Sequence, residues 1–295
     1  MPFRTRGLRV AFKTLDQFGP GLGARWVMKI WFTVPRIPDS ARRERVALPA
    51  GISFEVEVDG RQIRGTTWGR GPTVYLVHGW AGWGLQLAAF IPPLLAAGFR
   101  VVSYDAPAHG DSGPGRLGGR ATDLHEMSEA LEAVVDAQGP AYGIIAHSLG
   151  AGAVSQAMRN GLNAQRLVFV SATKEFEHTI GLFERALGFG ARTRAAIHRR
   201  FEARFGHPVA AYDLATVFAR IRGLPPLLAI HDMSDHETPY QGSAALVADW
   251  PDSRLELTEG LGHRKILGDN TTISRAVSFL STRTESSPPV GLTRP

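Results

Sequence analysis

The 295-residue chain contains no cysteine. That excludes disulfides, a thiol nucleophile and thiolate metal sites, and it leaves no redox mark of the compartment. Long apolar runs are missing too, and nothing approaches the ~18 consecutive residues of a membrane-spanning helix. A secretory leader needs roughly 7–15 apolar residues after a basic start. Here Lys13, Asp16 and Gln17 break the pattern, so a cytoplasmic protein is expected. Ten histidines occur without a zinc pattern such as His-Glu-x-x-His, and the glycine-containing stretches match no dinucleotide or phosphate loop. Neither a metal nor a cofactor is therefore expected.

Acidic residues are outnumbered, 27 against 33 basic ones, for a formal charge of +6. Much of the excess sits early: Arg4, Arg6, Arg9, Lys13, Arg25, Lys29, Arg36 and "ARRER" at 41–45. A second group is Arg192, Arg194, Arg199, Arg200 and Arg204. Neither group shows interleaved stacking aromatics or a recognition fold, so no nucleic-acid partner is expected. Solubility and non-specific affinity for anions account for such a balance.

With 44% hydrophobic and 20% charged residues, the composition is that of a globular protein, long enough for a single α/β domain with an insertion. Residues 1–48 form a basic amphipathic segment, two helices split at "FGPGLG" (18–23). Packing of these helices on the domain is the preferred reading. Weak docking to an anionic membrane surface through residues 1–45, peripheral to the bilayer, is the other.

From residue 49 onward the pattern changes. "ISFEVEV" (52–58) alternates strictly, "DG" turns, and "RQIRGTTWG" (61–69) returns, predicting an antiparallel hairpin. "GPTVYLVHG", "FRVVSYD", "AYGIIAH", "RLVFVSA" and "PPLLAIHD" carry continuous apolar runs, as strands buried on both faces do. "SRLELTEG" closes the series. Helical stretches lie between, at about 84–97, 120–138, 149–161, 210–222, 240–250 and 270–283. This alternation predicts an α/β fold with a mostly parallel sheet of about eight strands flanked by helices. The interval 173–209 holds helical spacing but no strand, so it reads as a small helical lid inserted into a domain spanning 49–283. Residues 284–295 are expected to be a disordered tail.

Ligands of parallel sheets bind at the carboxyl ends of the strands. Those ends read "HGWAGW" (78–83), "DAPAHGDS" (105–112), "HSLGAG" (147–152), "HDMSDHETP" (231–239) and "EGLGHRK" (259–265). The last three carry serine, aspartate and histidine in that order, the set that activates a hydroxyl nucleophile.

Over residues 50–283 the chain resembles the α/β-hydrolase-fold proteins. "AHSLG" is similar to their nucleophile elbow, with Ala146 where the usual pattern has glycine. "VHGWAG" resembles their oxyanion loop, and "YDAPAHGDS" a loop that buttresses it through internal hydrogen bonds. The resemblance implies Ser148 as nucleophile, His263 of "GLGH" as base and Asp235, shortly before Pro239, as acid, with Asp232 as fallback. It also implies that the backbone N–H groups of Trp80 and Leu149 form the oxyanion hole. Trp83, Phe176 and Phe183 join Trp80 as candidate walls of the substrate pocket. The implied activity is cleavage of a small-molecule carboxylic ester or thioester through an acyl-enzyme on Ser148, in the manner of a carboxylesterase or lipase. Perhydrolysis and amide or C–C bond hydrolysis use the same residues, and a non-catalytic ligand-binding protein of the same fold is the alternative from another class. A serine at the elbow speaks against haloalkane dehalogenase and epoxide hydrolase chemistry, which uses an aspartate there.

Overall fold

The computed structural model describes residues 2–37, 42, 47–172 and 175–282. The expected tail at 284–295, residues 173–174 at the start of the insertion, and most of "ARRER" lie outside the described residues.

Two helices open the chain, α1 (Pro2–Phe18) and α2 (Pro20–Phe32). Gly19 separates them, and Pro20 begins the second because its missing N–H is not needed in a first turn. The hairpin β1 (Ile52–Val58) and β2 (Arg61–Trp68) follows. Its turn residues Asp59 and Gly60 both have positive φ, 48° and 76°, as a tight two-residue hairpin loop demands.

The chain then alternates: β3 (Thr73–Val77), a 3-10 turn (Gly84–Phe90), α3 (Ile91–Ala96), β4 (Arg100–Tyr104), α4 (Leu124–Gln138), β5 (Ala141–His147), α5 (Gly150–Arg159) and β6 (Ala164–Val170). An insertion holds α6 (Phe176–Leu187), α7 (Ala191–Phe205), a 3-10 turn (Val209–Tyr212) and the short α8 (Leu214–Phe218). The last elements are β7 (Leu227–Asp232), α9 (Gln241–Ala248), β8 (Ser253–Thr258), α10 (Gly262–Lys265), a 3-10 turn (Ile266–Gly268) and α11 (Asn270–Ser281).

The sheet has eight strands in the order β1-β2-β4-β3-β5-β6-β7-β8. The β1/β2 and β2/β4 pairs are antiparallel and the remaining pairs parallel, as the alternating pattern predicts. Every residue of β3 and β7 is buried, because helices cover both faces. One face packs Leu131, Val134, Val154, Phe218 and Leu246, and the other packs Leu87, Phe90, Leu94, Ile273 and Phe279.

Two expected helices are broken. The stretch 84–97 is a 3-10 turn followed by α3; Pro92 and Pro93 lack the N–H groups a helix continuing from residue 84 would need. The stretch 210–222 splits at Asp213, whose extended backbone separates a 3-10 turn from α8. Asp213 also accepts the Phe176 N–H at 2.9 Å, tying it to the start of α6.

A third apolar cluster stands apart from the sheet. It joins α1 and α2 to α6 and α7 through Phe12, Val27, Trp31, Ile180, Ile197 and Phe201. It meets the core at Trp80, Ala106 and Leu149, residues just beyond the ends of β3, β4 and β5. The N-terminal helices and the insertion therefore form one roof over the carboxyl ends of the strands. Among the described residues no helix is long and apolar enough to cross a membrane.

Candidate active site

Ser148 has φ 54°, a left-handed value that costs a side-chain-bearing residue roughly 1–2 kcal/mol. The chain leaves β5 at His147 and enters α5 at Gly150, so only two residues reverse its direction. Small neighbours make this turn feasible. A Cβ on Gly150 would stand 2.6 Å from the Val77 carbonyl oxygen and 2.8 Å from that of His78. One on Gly79 would stand 2.8 Å from the Ser148 Cβ and 3.4 Å from the Leu149 nitrogen. Ala146, where the family pattern has glycine, is fully buried between Val77 and Phe169 of the neighbouring strands, and Ser148 reaches its left-handed conformation beside it.

The 78–80 loop thus lies directly against the elbow. Leu149 stands at the N-terminus of α5, where helix N–H groups lack intrahelical acceptors and the helix dipole favours negative charge. The loop itself is braced from behind. The Ala106 N–H donates to His78 Nε2 at 2.9 Å, and the Ala81 N–H donates to His109 Nε2 at 3.1 Å. Asp105 accepts from the N–H groups of Gly84 and Asp111, and the Ser112 hydroxyl donates to the Asp105 carbonyl. Burial pushes His109 down to about 3, helped by its neighbour His78, which burial lowers as well. Both rings are neutral struts.

On the far side of the elbow, His263 Nδ1 lies 2.7 Å from Asp235 Oδ2. Of the two carboxylates in the loop after β7, Asp235 meets His263 and Asp232 does not. Asp232 is saturated: it accepts from the N–H groups of Ser234, Leu261 and Gly262 and from the Thr258 hydroxyl. Burial raises its pKa, but these donors prevail and hold it below the usual carboxylate range. Its role is to fix the backbone on which His263 rides.

Asp235 is oriented by the N–H groups of Glu237 and Thr238 on Oδ1 and by the Thr238 hydroxyl on Oδ2. His231, fully buried, brings Nε2 within 3.3 Å of the same Oδ2. Burial alone would raise Asp235; hydrogen bonds from His231, His263 and the Thr238 N–H overcome it and keep the carboxyl far below its ordinary range. Asp235 is therefore an anion. His147, the residue before Ser148, completes the junction. Its Nε2–H donates to the His263 carbonyl at 3.0 Å, and the two rings lie 4.7 Å apart. Burial first, and then repulsion from His263, push His147 down to about 3.

A small aromatic pocket reaches the elbow at Trp80 and Leu149. Trp80, Leu149 and Phe176 line it, together with Trp31, Phe32, Leu124, Phe201, Phe205 and Tyr212. Its open space is about 30 Å³, room for roughly two waters. Arg204 shuts its outer edge, pairing with Asp123 at 2.9 Å and lying 5.0 Å over the Phe32 ring.

Of the side chains expected as walls, Phe176 and Trp80 line this pocket, and Phe183 and Trp83 do not. Phe183 lies two helical turns from Phe176, about 10 Å along α6, and packs behind Trp31 at 6.0 Å. Trp83 lines a separate cleft with Arg64, Asp105 and Asp111. The chain reverses at Ala81, φ 56°, so residues 80 and 83 face opposite sides of the loop.

Sequence reasoning did not find Trp31, Phe32, Phe201 or Tyr212 as walls of this pocket, nor His231 and Thr238 as partners of Asp235. Helical spacing marks 27, 28, 31 and 197, 201 as buried faces without saying what covers them.

A dihydrolipoyllysine-residue acetyltransferase component of the acetoin cleaving system of Pseudomonas putida is 39% identical over 120 residues, 40% of this chain and 31% of that protein. The match thus spans about a third of that relative's length. An esterase from Exiguobacterium antarcticum superposes with a TM-score of 0.59 at 18% identity, over 78% of this chain and 100% of its own. A serine hydrolase involved in carbazole degradation gives 0.60 at 17% identity, over 79% and 100%. At such identities the likeness is one of fold. A family model reaches further, matching residues 74–276 from the first buried strand into the last helix. By that match, over the sheet that carries Ser148, Asp235 and His263 on its strand ends, the chain belongs to the alpha/beta hydrolase family.

Proposed function

We propose that this chain is a serine hydrolase that cleaves a small carboxylic ester or thioester through an acyl-enzyme on Ser148. The observation that carries the reading is the 2.7 Å contact between an anionic Asp235 and His263, seated against an elbow whose serine has φ 54°.

His263 accepts the Ser148 proton as the hydroxyl oxygen bonds to the substrate carbonyl carbon. The carbonyl π pair moves onto oxygen, and the N–H groups of Trp80 and Leu149 receive that charge as an oxyanion hole. Asp235 holds Nδ1–H and stabilises the imidazolium. Collapse of the tetrahedral intermediate breaks the bond to the alcohol or thiol, which leaves with the proton from His263. A water then gives its proton to His263, attacks the acyl carbon and releases the acid, regenerating Ser148. The aromatic walls favour an apolar acyl group. Its admission requires the roof of α1, α2, α6 and α7 to act as a lid and shift, because the closed pocket holds only about two waters.

Replacing Ser148→Ala tests the reading. Hydrolysis of short p-nitrophenyl esters should fall by at least about 10³-fold, and labelling by a fluorophosphonate probe should vanish. Retained turnover would remove Ser148 from the role of nucleophile.

A further inference from the structure

The outer side of the roof is chemically unlike the rest of the surface. Nine large hydrophobic residues are exposed among the described residues, and four of them fall between residues 10 and 26: Val10, Phe18, Leu22 and Trp26. Phe18 is 78% and Leu22 63% exposed. On α2 the exposed positions 22, 25, 26 and 29 follow helical spacing, so Leu22 and Trp26 form one row and Arg25 and Lys29 the row beside it. Lys13 is exposed on α1. From the adjoining α7, exposed Arg192 donates to the Gln17 carbonyl, and exposed Arg200 approaches Gly21.

Asp16 is the sole acid in residues 2–32. It turns inward, accepting the Thr193 N–H at 2.7 Å. The opposite sides of α1 and α2 are already occupied, with Phe12, Val27, Met28, Trp31 and Phe32 buried in the roof. The exposed rows are thus a second, outward apolar face on helices whose inner face is already spent. It is uniformly cationic, so a second copy of this chain would set arginine against arginine.

We propose that this outer face of the α1–α2 hairpin docks on an anionic lipid bilayer. Phe18, Leu22 and Trp26 enter the interface, and Lys13, Arg25, Lys29 and Arg200 meet the headgroup charge. This assignment is independent of the reaction proposed for Ser148.

Co-sedimentation of the full chain with vesicles tests it. Vesicles of phosphatidylcholine mixed with phosphatidylglycerol should bind the protein at least about tenfold more tightly than phosphatidylcholine alone, and high salt should release it. Arg25→Glu with Lys29→Glu should abolish binding, and Phe18→Ser with Leu22→Ser should weaken it about tenfold or more. All four side chains are exposed, so the thermal melts should match that of the parent. The proposal is overturned by no sedimentation with the mixed vesicles, by equal binding to neutral ones, or by undiminished binding of the charge-reversed variant. It is also overturned if size exclusion finds a dimer that the serine variant dissolves, since the occupant would then be a second copy.

Discussion

At φ 54° the Ser148 backbone occupies a region that side-chain-bearing residues avoid, and it is held there by contacts rather than by preference. Gly79 and Gly150 are compelled by carbonyl oxygens and the serine itself standing where a Cβ would fall. The two aspartates after β7 show how environment divides labour between like residues. Asp232 spends both oxygens on backbone and threonine donors, whereas Asp235 turns Oδ2 to His263 at 2.7 Å, beside the Thr238 hydroxyl and His231. Asp235→Asn should therefore lower kcat on short esters by about 10⁴-fold through the wrong imidazole tautomer. Asp232→Asn should instead lower Tm, by the equivalent of about 1–3 kcal/mol, because an amide nitrogen would face a backbone donor. Paired kinetics and melting of the two variants distinguish these roles. An equal loss of kcat at unchanged Tm in both would contradict this division.

Among the elements, the strands were the most legible part of the sequence. Val74–Val77, Ile144–Ala146 and Leu227–Ile230 are apolar without alternation because helices cover both faces of the sheet. The motifs at their ends could be read in order for the same reason: a parallel sheet delivers every strand end to one edge. The helices of the roof were legible, but their pairing with one another was not. Trp31 and Phe201 stack at 5.8 Å, yet each announces itself only as one position on a buried helical stripe. Periodicity fixes which face is covered and not which distant helix covers it. Trp83 parts from Trp80 through a feature of the same kind, since the left-handed turn at Ala81 leaves no mark in a sequence without glycine at that position. Because Trp31 is one wall of the pocket proposed to take the acyl group, Trp31→Ala should move the preferred substrates towards longer acyl chains. The cavity should also cost about 3–5 kcal/mol of stability. A panel of p-nitrophenyl esters together with thermal melting measures both effects, and an unchanged chain-length profile would place Trp31 outside the acyl site.

For the whole molecule, buried neutral histidines set the response to acid. His147 and His109 are both pushed down to about 3, and His78 is lowered too, with burial the leading cause in each. The unfolded chain binds protons at these positions below a pH of about 6.5, whereas the folded chain does not. Their contribution is therefore fully present above that pH and is lost as pH falls towards the folded values. Each adds a slope of up to about 1.4 kcal/mol per pH unit on the acid side. Anionic Asp235 extends the loss further into acid, its stabilisation disappearing as pH drops through and below the ordinary carboxylate range. Melting followed from neutral pH downwards should show Tm falling steadily once pH passes below about 6.5. A flat profile would mean that these rings accept protons without unfolding.

The two halves of the roof, at residues 2–32 and 176–212, lie far apart along the chain. Residues 2–32 are made before β1 to β6 and their partners at 176–212 after them, with β7 and β8 still to come. Contacts spanning so much chain close late, because the entropy of a long loop must be overcome before they form. The N-terminal pair of helices therefore waits, with Trp31, Phe32 and Val27 uncovered, until the insertion arrives. The aromatic pocket between these halves therefore forms only once chain from both sides of six strands has met.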